Sequence, residues 1–324
     1  MRVLLTGAFG NVGSSAREEL VARGHEVTLF DVHSRANDRA ARRLPPGVRL
    51  EWGDVRRRED LDRAVAEQDA VIHLAFVIPK LSATGRECEK EPEWAQEINV
   101  GGTRNLIEAM RAQASPPGLI FASSLHLYGP TQHLPPPRRV DDPVNPTEHY
   151  SRHKVACEAL VRASGLRWAI LRFAAAMPMA LRADPGMYDV PLATRMEFVH
   201  TRDVGLALTN ALETDAVWGR TLHIGGGPRC QLVYREIAAK ALDAMGVGML
   251  PDAAFSTTTF CTDWLDTTES EALLRFQRHT YDDYVRDVAR LAGWRRGLVH
   301  AFRPLVRAWL LAQSPYYRRA RALR

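Results

Sequence analysis

Arg2-Val3-Leu4-Leu5-Thr6-Gly7-Ala8-Phe9-Gly10-Asn11-Val12-Gly13 passes from a short apolar run, through three glycines, into an amphipathic stretch at about 12–23. Glycines at these spacings let the backbone turn tightly, approach a pyrophosphate closely and pack a helix against a sheet. The free N–H groups of the helix start then face the anion. The pattern alone is weak. Its place between a strand and a helix strengthens it, and so does Asp31, eighteen residues beyond Gly13 at the end of a second strand pattern, Glu26–Phe30. A carboxylate there accepts both ribose hydroxyls of NAD and repels a 2′-phosphate, which selects NAD; His33 and Arg35 close by keep NADP open.

Working outward, strand patterns at Val48–Trp52, Ala70–Leu74, Leu119–Ser123 and Trp168–Phe173 alternate with helical periodicity at about 57–66, 94–113 and 148–164. Strands alternating with helices require crossover connections, so the expected fold is a doubly wound parallel α/β sheet of Rossmann type with a smaller C-terminal substrate lobe. Beyond it come a strand at Glu197–Val199, a helix at about 203–213 with Asp203 read as its cap, a strand at Thr221–Ile224 and three helical patterns between Gln231 and Gly293. One of these opens on Asp266-Thr267-Thr268-Glu269, which has capping-box spacing. The expected division is 1–173 plus about 197–228 for the dinucleotide core, 174–196 plus 229–294 for the lobe, and 295–324 as a basic tail.

The strand ending Phe121-Ala122-Ser123-Ser124 is followed, after a proline-rich passage, by Tyr150-Ser151-Arg152-His153-Lys154. Tyr150 and Lys154, at i and i+4, share one helical face. A free tyrosine titrates near pH 10, so bringing it near 7 takes about 4 kcal/mol of preferential phenolate stabilisation. Lys154 and an oxidised nicotinamide would supply it together. Tyr150 then acts as general acid/base on a secondary alcohol, Ser124 holds the same oxygen, and Lys154 lowers the phenol pKa.

Taken together, these segments resemble the extended epimerase/dehydratase branch of the short-chain dehydrogenase/reductase superfamily. Gly7, Gly10 and Gly13 are similar to its T-G-x-x-G-x-x-G fingerprint. Gly53-Asp54-Val55 resembles the adenine-binding turn, His73-Leu74-Ala75-Phe76 the H-L-A-A segment, Asn99-Val100-Gly101-Gly102-Thr103 the N-V-x-G-T helix segment, and Ser124, Tyr150 and Lys154 the catalytic set. The resemblance implies a cofactor surface of Gly7, Phe9, Gly10, Asn11, Val12, Gly13, Asp31, Asp54, Val55, Leu74, Ala75, Phe76, Asn99, Ser123, Tyr150, Lys154 and Phe173. The substrate side is expected to include Val77, His126, Ala175, Met177 and Arg195; Met177 reads as pocket lining or plain core, and Arg195 as a partner for an anionic substrate group or a solvated cation. The resemblance also implies a homodimer joined through the helices near 94–113 and 148–164.

Three departures shape the substrate expectation. Ser124-Leu125-His126 replaces the Thr-Asp-Glu of the sugar-nucleotide dehydratases, so dehydration of that kind is not expected. Arg172-Phe173-Ala174 lacks the asparagine of R-x-F-N, and the stretch Ala174–Arg195 is short for enclosing a UDP group. A smaller sugar-like, alicyclic or aromatic alcohol is therefore the first expectation, oxidised reversibly with NAD. A nucleotide-sugar epimerase with bound NAD is the runner-up, and a non-catalytic NAD-sensing module ranks third.

The 324 residues are 46% hydrophobic and 25% charged, an ordinary globular composition with enough chain for a large core. The four cysteines form no metal-ligand spacing, and they point to a reducing, cytoplasmic setting. The net charge of +5 suggests nucleic acid only until it is mapped. The last thirty residues hold eight arginines and no Lys, Asp or Glu, leaving −3 for the other 294, so no nucleic-acid partner is expected. Leu298, Phe302, Leu305, Val306, Trp309 and Leu310 recur at helical spacing among those arginines. Packing on the body or on a second subunit is the default expectation, and weak contact with an anionic membrane surface the sharper one.

Overall fold

The computed structural model describes residues 1–80, 85–179 and 185–322. Residues 180–184 of the 174–196 segment and 323–324 of the tail lie outside that set.

In chain order the elements are β1 (Arg2–Thr6), α1 (Asn11–Ala22), β2 (Glu26–Asp31), α2 (Arg35–Ala41), β3 (Arg49–Trp52), α3 (Arg58–Val65), β4 (Ala70–His73), α4 (Pro92–Gln96), α5 (Gly102–Arg111), β5 (Gly118–Ser124), α6 (His149–Arg162), β6 (Trp168–Phe173), β7 (Arg195–Glu197), α7 (Thr201–Glu213), β8 (Thr221–Ile224), β9 (Gln231–Val233), α8 (Tyr234–Ala244), α9 (Thr268–Leu274), α10 (Tyr281–Ala292), α11 (Arg295–Ala301), α12 (Arg303–Gln313) and α13 (Pro315–Ala322). Seven strands form one parallel sheet in the order β3-β2-β1-β4-β5-β6-β8, and β7 pairs antiparallel with β9 outside it. The order reverses between β1 and β4. In such sheets ligands bind at the carboxyl ends of the strands beside that reversal.

Both sheet faces are covered, as parallel strands require. Ala16 and Leu20 of α1 and Val204, Leu208 and Leu212 of α7 fill one face. Leu61 of α3, Leu106 and Met110 of α5, and Cys157 and Val161 of α6 fill the other. A separate core gathers Tyr188, Phe198, Tyr234, Leu242, Phe255, Tyr281 and Tyr284 together with Leu310 from α12.

Four expectations are corrected. The strand read at Glu197–Val199 lies at Arg195–Glu197, because its antiparallel partner β9 begins at Gln231 opposite Glu197; Phe198 beyond it makes an isolated bridge to Ala175. The helix read at 94–113 is three pieces: α4, a π turn at Glu97–Gly101, then α5. The capping box before α9 does not form, since Asp266 itself accepts the Thr268 amide at 3.1 Å and Thr267 makes no side-chain cap. Asp203 does not cap α7. His200 does, accepting the Arg202 amide at 3.2 Å, while the buried Asp203 accepts the amides of Arg278 and His279. Helix α2, whose Arg-Ala-Asn-Asp-Arg sequence carries no apolar period, went unread; Ser34 caps it through the Asn37 amide.

Candidate active site

The glycine turn is built against the reversal point. Gly7 holds a left-handed φ of 67°, and a Cβ there would stand 2.7 Å from the Ala75 amide nitrogen. A Cβ on Gly13 would stand 2.3 Å from the Gly7 carbonyl oxygen. Thr6 Oγ1 accepts the Leu74 and Ala75 amides at 3.2 Å each and lies 2.7 Å from His73 Nδ1, stitching the ends of β1 and β4 together. Helix α1 starts at Asn11 with no side chain capping it, so its first amides remain open to a ligand. An open cleft of about 790 Å³ borders this start, lined in part by Phe9, Gly10, Asn11, Ser14, Met179 and Arg202.

Asp31 Oδ2 accepts the Phe9 amide at 3.0 Å, and Oδ1 accepts the Val32 amide at 2.8 Å and Asn37 Nδ2 at 3.3 Å. Burial pushes its carboxyl pKa up against the pull of the backbone hydrogen bonds. The Phe9 ring stacks on Trp52 with centroids 5.5 Å apart, and His33 stands edge-on to Trp52 at 5.1 Å. Burial works against the charge on Asp54, but hydrogen bonds from the Arg56 side chain and amide hold its carboxyl below the usual range. Val55 is buried against Gly102 at the start of α5.

Asn99, turned inward by the π turn, clamps the loop after β4. Its Oδ1 accepts the Val77 amide at 2.7 Å and its Nδ2 donates to the Val77 carbonyl at 3.0 Å. Asn11 Nδ2 donates to the Ala176 carbonyl at 3.0 Å, joining the glycine turn to the segment after β6, where Phe173 and Met177 are partly buried. Ala175 is held by backbone bonds to Glu197 and Val199 at 3.0 Å.

At the chemical end, Ser124 closes β5 and accepts the His126 amide at 3.2 Å, and its side chain pulls the Tyr150 phenol pKa down. Helix α6 is fixed at its start by a reciprocal Glu148–Ser151 box and by Glu89, which accepts the amides of His149 and Tyr150 at 3.1 and 2.8 Å. Lys154, one turn on, is buried and donates to the Ala122 carbonyl at 2.6 Å. The expected acidic phenol is not what the protein alone provides. Burial pushes Tyr150 up to about 12, with the Ser124 hydrogen bond opposing, and burial pulls Lys154 down to about 7. Desolvation, which disfavours the charged form of each group, is the largest cause of both shifts.

His126 stands beside them. Its Nδ1 lies 3.0 Å from Glu148 Oε2, and its ring meets Tyr150 edge-on at 5.9 Å and Phe260 at 5.6 Å. Arg195 is engaged on the protein: Asp263 accepts from its Nε at 2.8 Å and from Nη2 at 3.1 Å, and the Leu134 carbonyl accepts from Nη2 at 2.8 Å. Ser123 donates to Glu158 at 2.6 Å.

The profile of the NAD dependent epimerase/dehydratase family matches residues 3–180, more than half of the chain. This chain belongs to that family. As a family member it is 32% identical over 182 residues to a UDP-glucose 4-epimerase of Corynebacterium glutamicum, covering 56% of this chain and 49% of that one. A UDP-glucose 4-epimerase of Lactobacillus helveticus is 29% identical over 181 residues, covering 53% and 51%. The chain spans about half the length of the curated relatives it matches. Among solved structures, a UDP-glucose-4-epimerase of Stenotrophomonas maltophila with bound NAD and formylated UDP-arabinopyranose superposes with a TM-score of 0.74, at 23% identity, over 93% of this chain and 99% of that one. At that identity the likeness concerns the fold.

Within this family member, four residues of the site escaped sequence reading. Thr6 was visible inside the glycine motif, and Trp52 at the end of a strand. Glu148, directly before the helix, had the position of a cap. Phe260 carries no local signal; it reaches His126 only through the folding of the C-terminal lobe.

Proposed function

We propose that this chain epimerises a nucleotide sugar at C4 with an NAD that stays bound. The carrying observation is the gathering of Ser124, at the carboxyl end of β5, with Tyr150 and with Lys154 one helical turn on, the glycine turn opening beside them. The relatives support the substrate class, since the curated matches include several UDP-glucose 4-epimerases. They reverse the order of expectations: the nucleotide sugar moves ahead of the small alcohol.

The residues present fit the dinucleotide. Gly7 and Gly13 leave a cradle that a Cβ would close, the uncapped start of α1 at Asn11 offers amides for a pyrophosphate, and Asp31 offers acceptor oxygens for the adenosine ribose. Phe9 and Trp52 flank the adenine end, and Lys154 serves the ribose next to the nicotinamide. NAD, when bound, would supply the hydride acceptor and, once reduced, the hydride donor for the opposite face of the sugar. Tyr150 takes the proton of the reacting hydroxyl and later gives it back, while Ser124 holds the same oxygen. Lys154, once protonated beside the bound positive ring, draws the phenol down from its high starting value. The subunit contact of a homodimer falls on α5 and α6, as the resemblance implies.

A second reading, reversible oxidation of a smaller secondary alcohol, is favoured by the segment after β6: Met177, Met179 and Met187 pack against the lobe core. The test is to denature purified protein, quantify the NAD released, and follow UDP-glucose and UDP-galactose by chromatography with none added. Interconversion that disappears in Tyr150→Phe while bound NAD remains supports the proposal. Steady NADH release from a small alcohol without sugar-nucleotide turnover overturns it in favour of the second reading.

A further inference from the structure

We infer that the outward face of α10–α12 seats the protein on an anionic membrane surface. These helices are docked. Leu310 is buried in the lobe core, and Val299, Val306, Leu311, Tyr316 and Tyr317 pack against it. Arg303 donates to the Val247 carbonyl at 2.8 Å, and Arg307 to the carbonyls of Gly248 and Met249 at 3.0 and 2.6 Å. Tyr188 donates to the Leu310 carbonyl at 2.8 Å.

With one apolar face satisfied, a second remains outside. Leu291, Trp294, Leu298, Phe302, Leu305 and Trp309 are 48–74% exposed and follow one another at intervals of three or four residues. They are six of the eleven large exposed hydrophobic residues among the described residues, gathered within nineteen positions. Scattered apolar residues on a surface need no explanation; a ridge in sequence of six across three successive helices, whose first member, Leu291, also borders the cleft beside α1, marks a contact. Arg295, Arg296, Arg303, Arg318 and Arg319 border the ridge and are exposed, and no Asp or Glu follows Asp287 in the sequence.

Charge decides the occupant. A second copy meeting this face about a twofold axis would set arginines against arginines, with no carboxylate after Asp287 to pair them and only Arg296 offset, by Asp243 at 3.8 Å. A nucleic acid would satisfy the arginines and leave the tryptophan and leucine ridge uncovered. A lipid interface with anionic headgroups satisfies both. The ridge enters the headgroup and acyl boundary, and each arginine near the surface gains about 1 kcal/mol. No helix among the described residues is long and apolar enough to cross a membrane, so the contact lies in the interface plane. It also reaches the lobe: Tyr316 donates to Asp189, which pairs with Lys80 in the loop after β4.

The test is co-sedimentation of the full chain with phosphatidylcholine vesicles and with vesicles that also contain phosphatidylglycerol. The wild type should pellet with the anionic vesicles alone, and less so in high salt. Trp294→Ser combined with Phe302→Ser and Trp309→Ser, all at exposed positions, should weaken binding by at least about tenfold with the thermal midpoint unchanged. Arg295→Glu with Arg318→Glu and Arg319→Glu should weaken it similarly. Equal pelleting of wild type and both variants, no pelleting of the wild type, or a lipid-independent dimer that the serine variant dissociates would each overturn the inference.

Discussion

The ammonium of Lys154 lies 3.4 Å from the centroid of the Phe76 ring, nearer than its 5.7 Å to the ring of Tyr150. Phe76 occupies the last position of the segment that resembles H-L-A-A, where the resemblance leads one to expect a second small alanine. Here the ring covers the amine, stands edge-on to Tyr150 at 5.7 Å, and helps exclude the water that would keep Lys154 charged. The same substitution thus touches both members of the proton-handling pair.

Phe76→Ala should return Lys154 toward the ordinary lysine range. The lost cation–π attraction, about 0.5–2 kcal/mol, works the other way. The depression of Lys154 to about 7 corresponds to roughly 5 kcal/mol at about 1.36 kcal/mol per pH unit, so water access decides the sign. Reductive ¹³C-methylation reads this directly, because the chain has only four lysines, at 80, 90, 154 and 240. The Lys154 titration midpoint should rise by at least about one pH unit in the variant. An unchanged midpoint would assign the exclusion of water to another group.

His126→Ala separates binding from chemistry. The imidazole meets the Tyr150 ring edge-on but hydrogen-bonds Glu148, while Ser124 is the group that pulls the Tyr150 phenol pKa down. The variant should therefore raise KM for the sugar nucleotide while kcat stays within about fivefold, the pattern of a lost positioning contact. A fall of kcat by about 10²-fold or more would give His126 a proton-transfer role instead.

Much of this was legible because it is local. The glycine turn, Asp31 and the Tyr150–Lys154 helix each declare themselves within a few residues, and every strand of the main sheet carries its own apolar run. What was illegible depends on distance. Arg172 was noticed only as part of a departing motif, although its role is to pair with Glu158 across the β6–α6 packing. Arg195 read as a solvated or substrate-facing cation because Asp263 lies in another part of the chain. The phenol pKa was misjudged for the same reason: burial, which sets it, is a property of the assembled site.

Breaking the Glu158–Arg172 pair should be costly. Glu158 is 2% exposed and accepts from Arg172 at 2.8 and 2.9 Å and from Ser123 at 2.6 Å. Glu158→Leu leaves a buried guanidinium unpaired and should cost about 3–5 kcal/mol in urea denaturation. Adding Arg172→Met should recover part of that loss, because the desolvation penalty leaves with the charge. A double variant as unstable as the sum of its singles would rule out this account.

Acid should destabilise the fold through its buried imidazoles. Burial holds His73 down to about 3, and His200 and His223 down to about 4. The unfolded chain protonates near pH 6.5 while these stay neutral, so each contributes stability above that pH and loses it as the pH falls toward the folded value. Glu197 runs the other way: pushed up to about 7 by burial, it gains its proton in the folded state first and adds stability as the pH drops from 7 toward 4.5. Three groups against one leave a net loss between pH 6.5 and 4.5. His223 lies 2.7 Å from the Tyr128 hydroxyl and 3.1 Å from the Asp266 carbonyl, a pair of contacts a glutamine amide can replace. His223→Gln should therefore flatten the slope of unfolding free energy by at most about 1.4 kcal/mol per pH unit over that window. Urea melts at closely spaced pH values measure it, and parallel slopes for the two proteins would show that His223 titrates alike in the folded and unfolded chains.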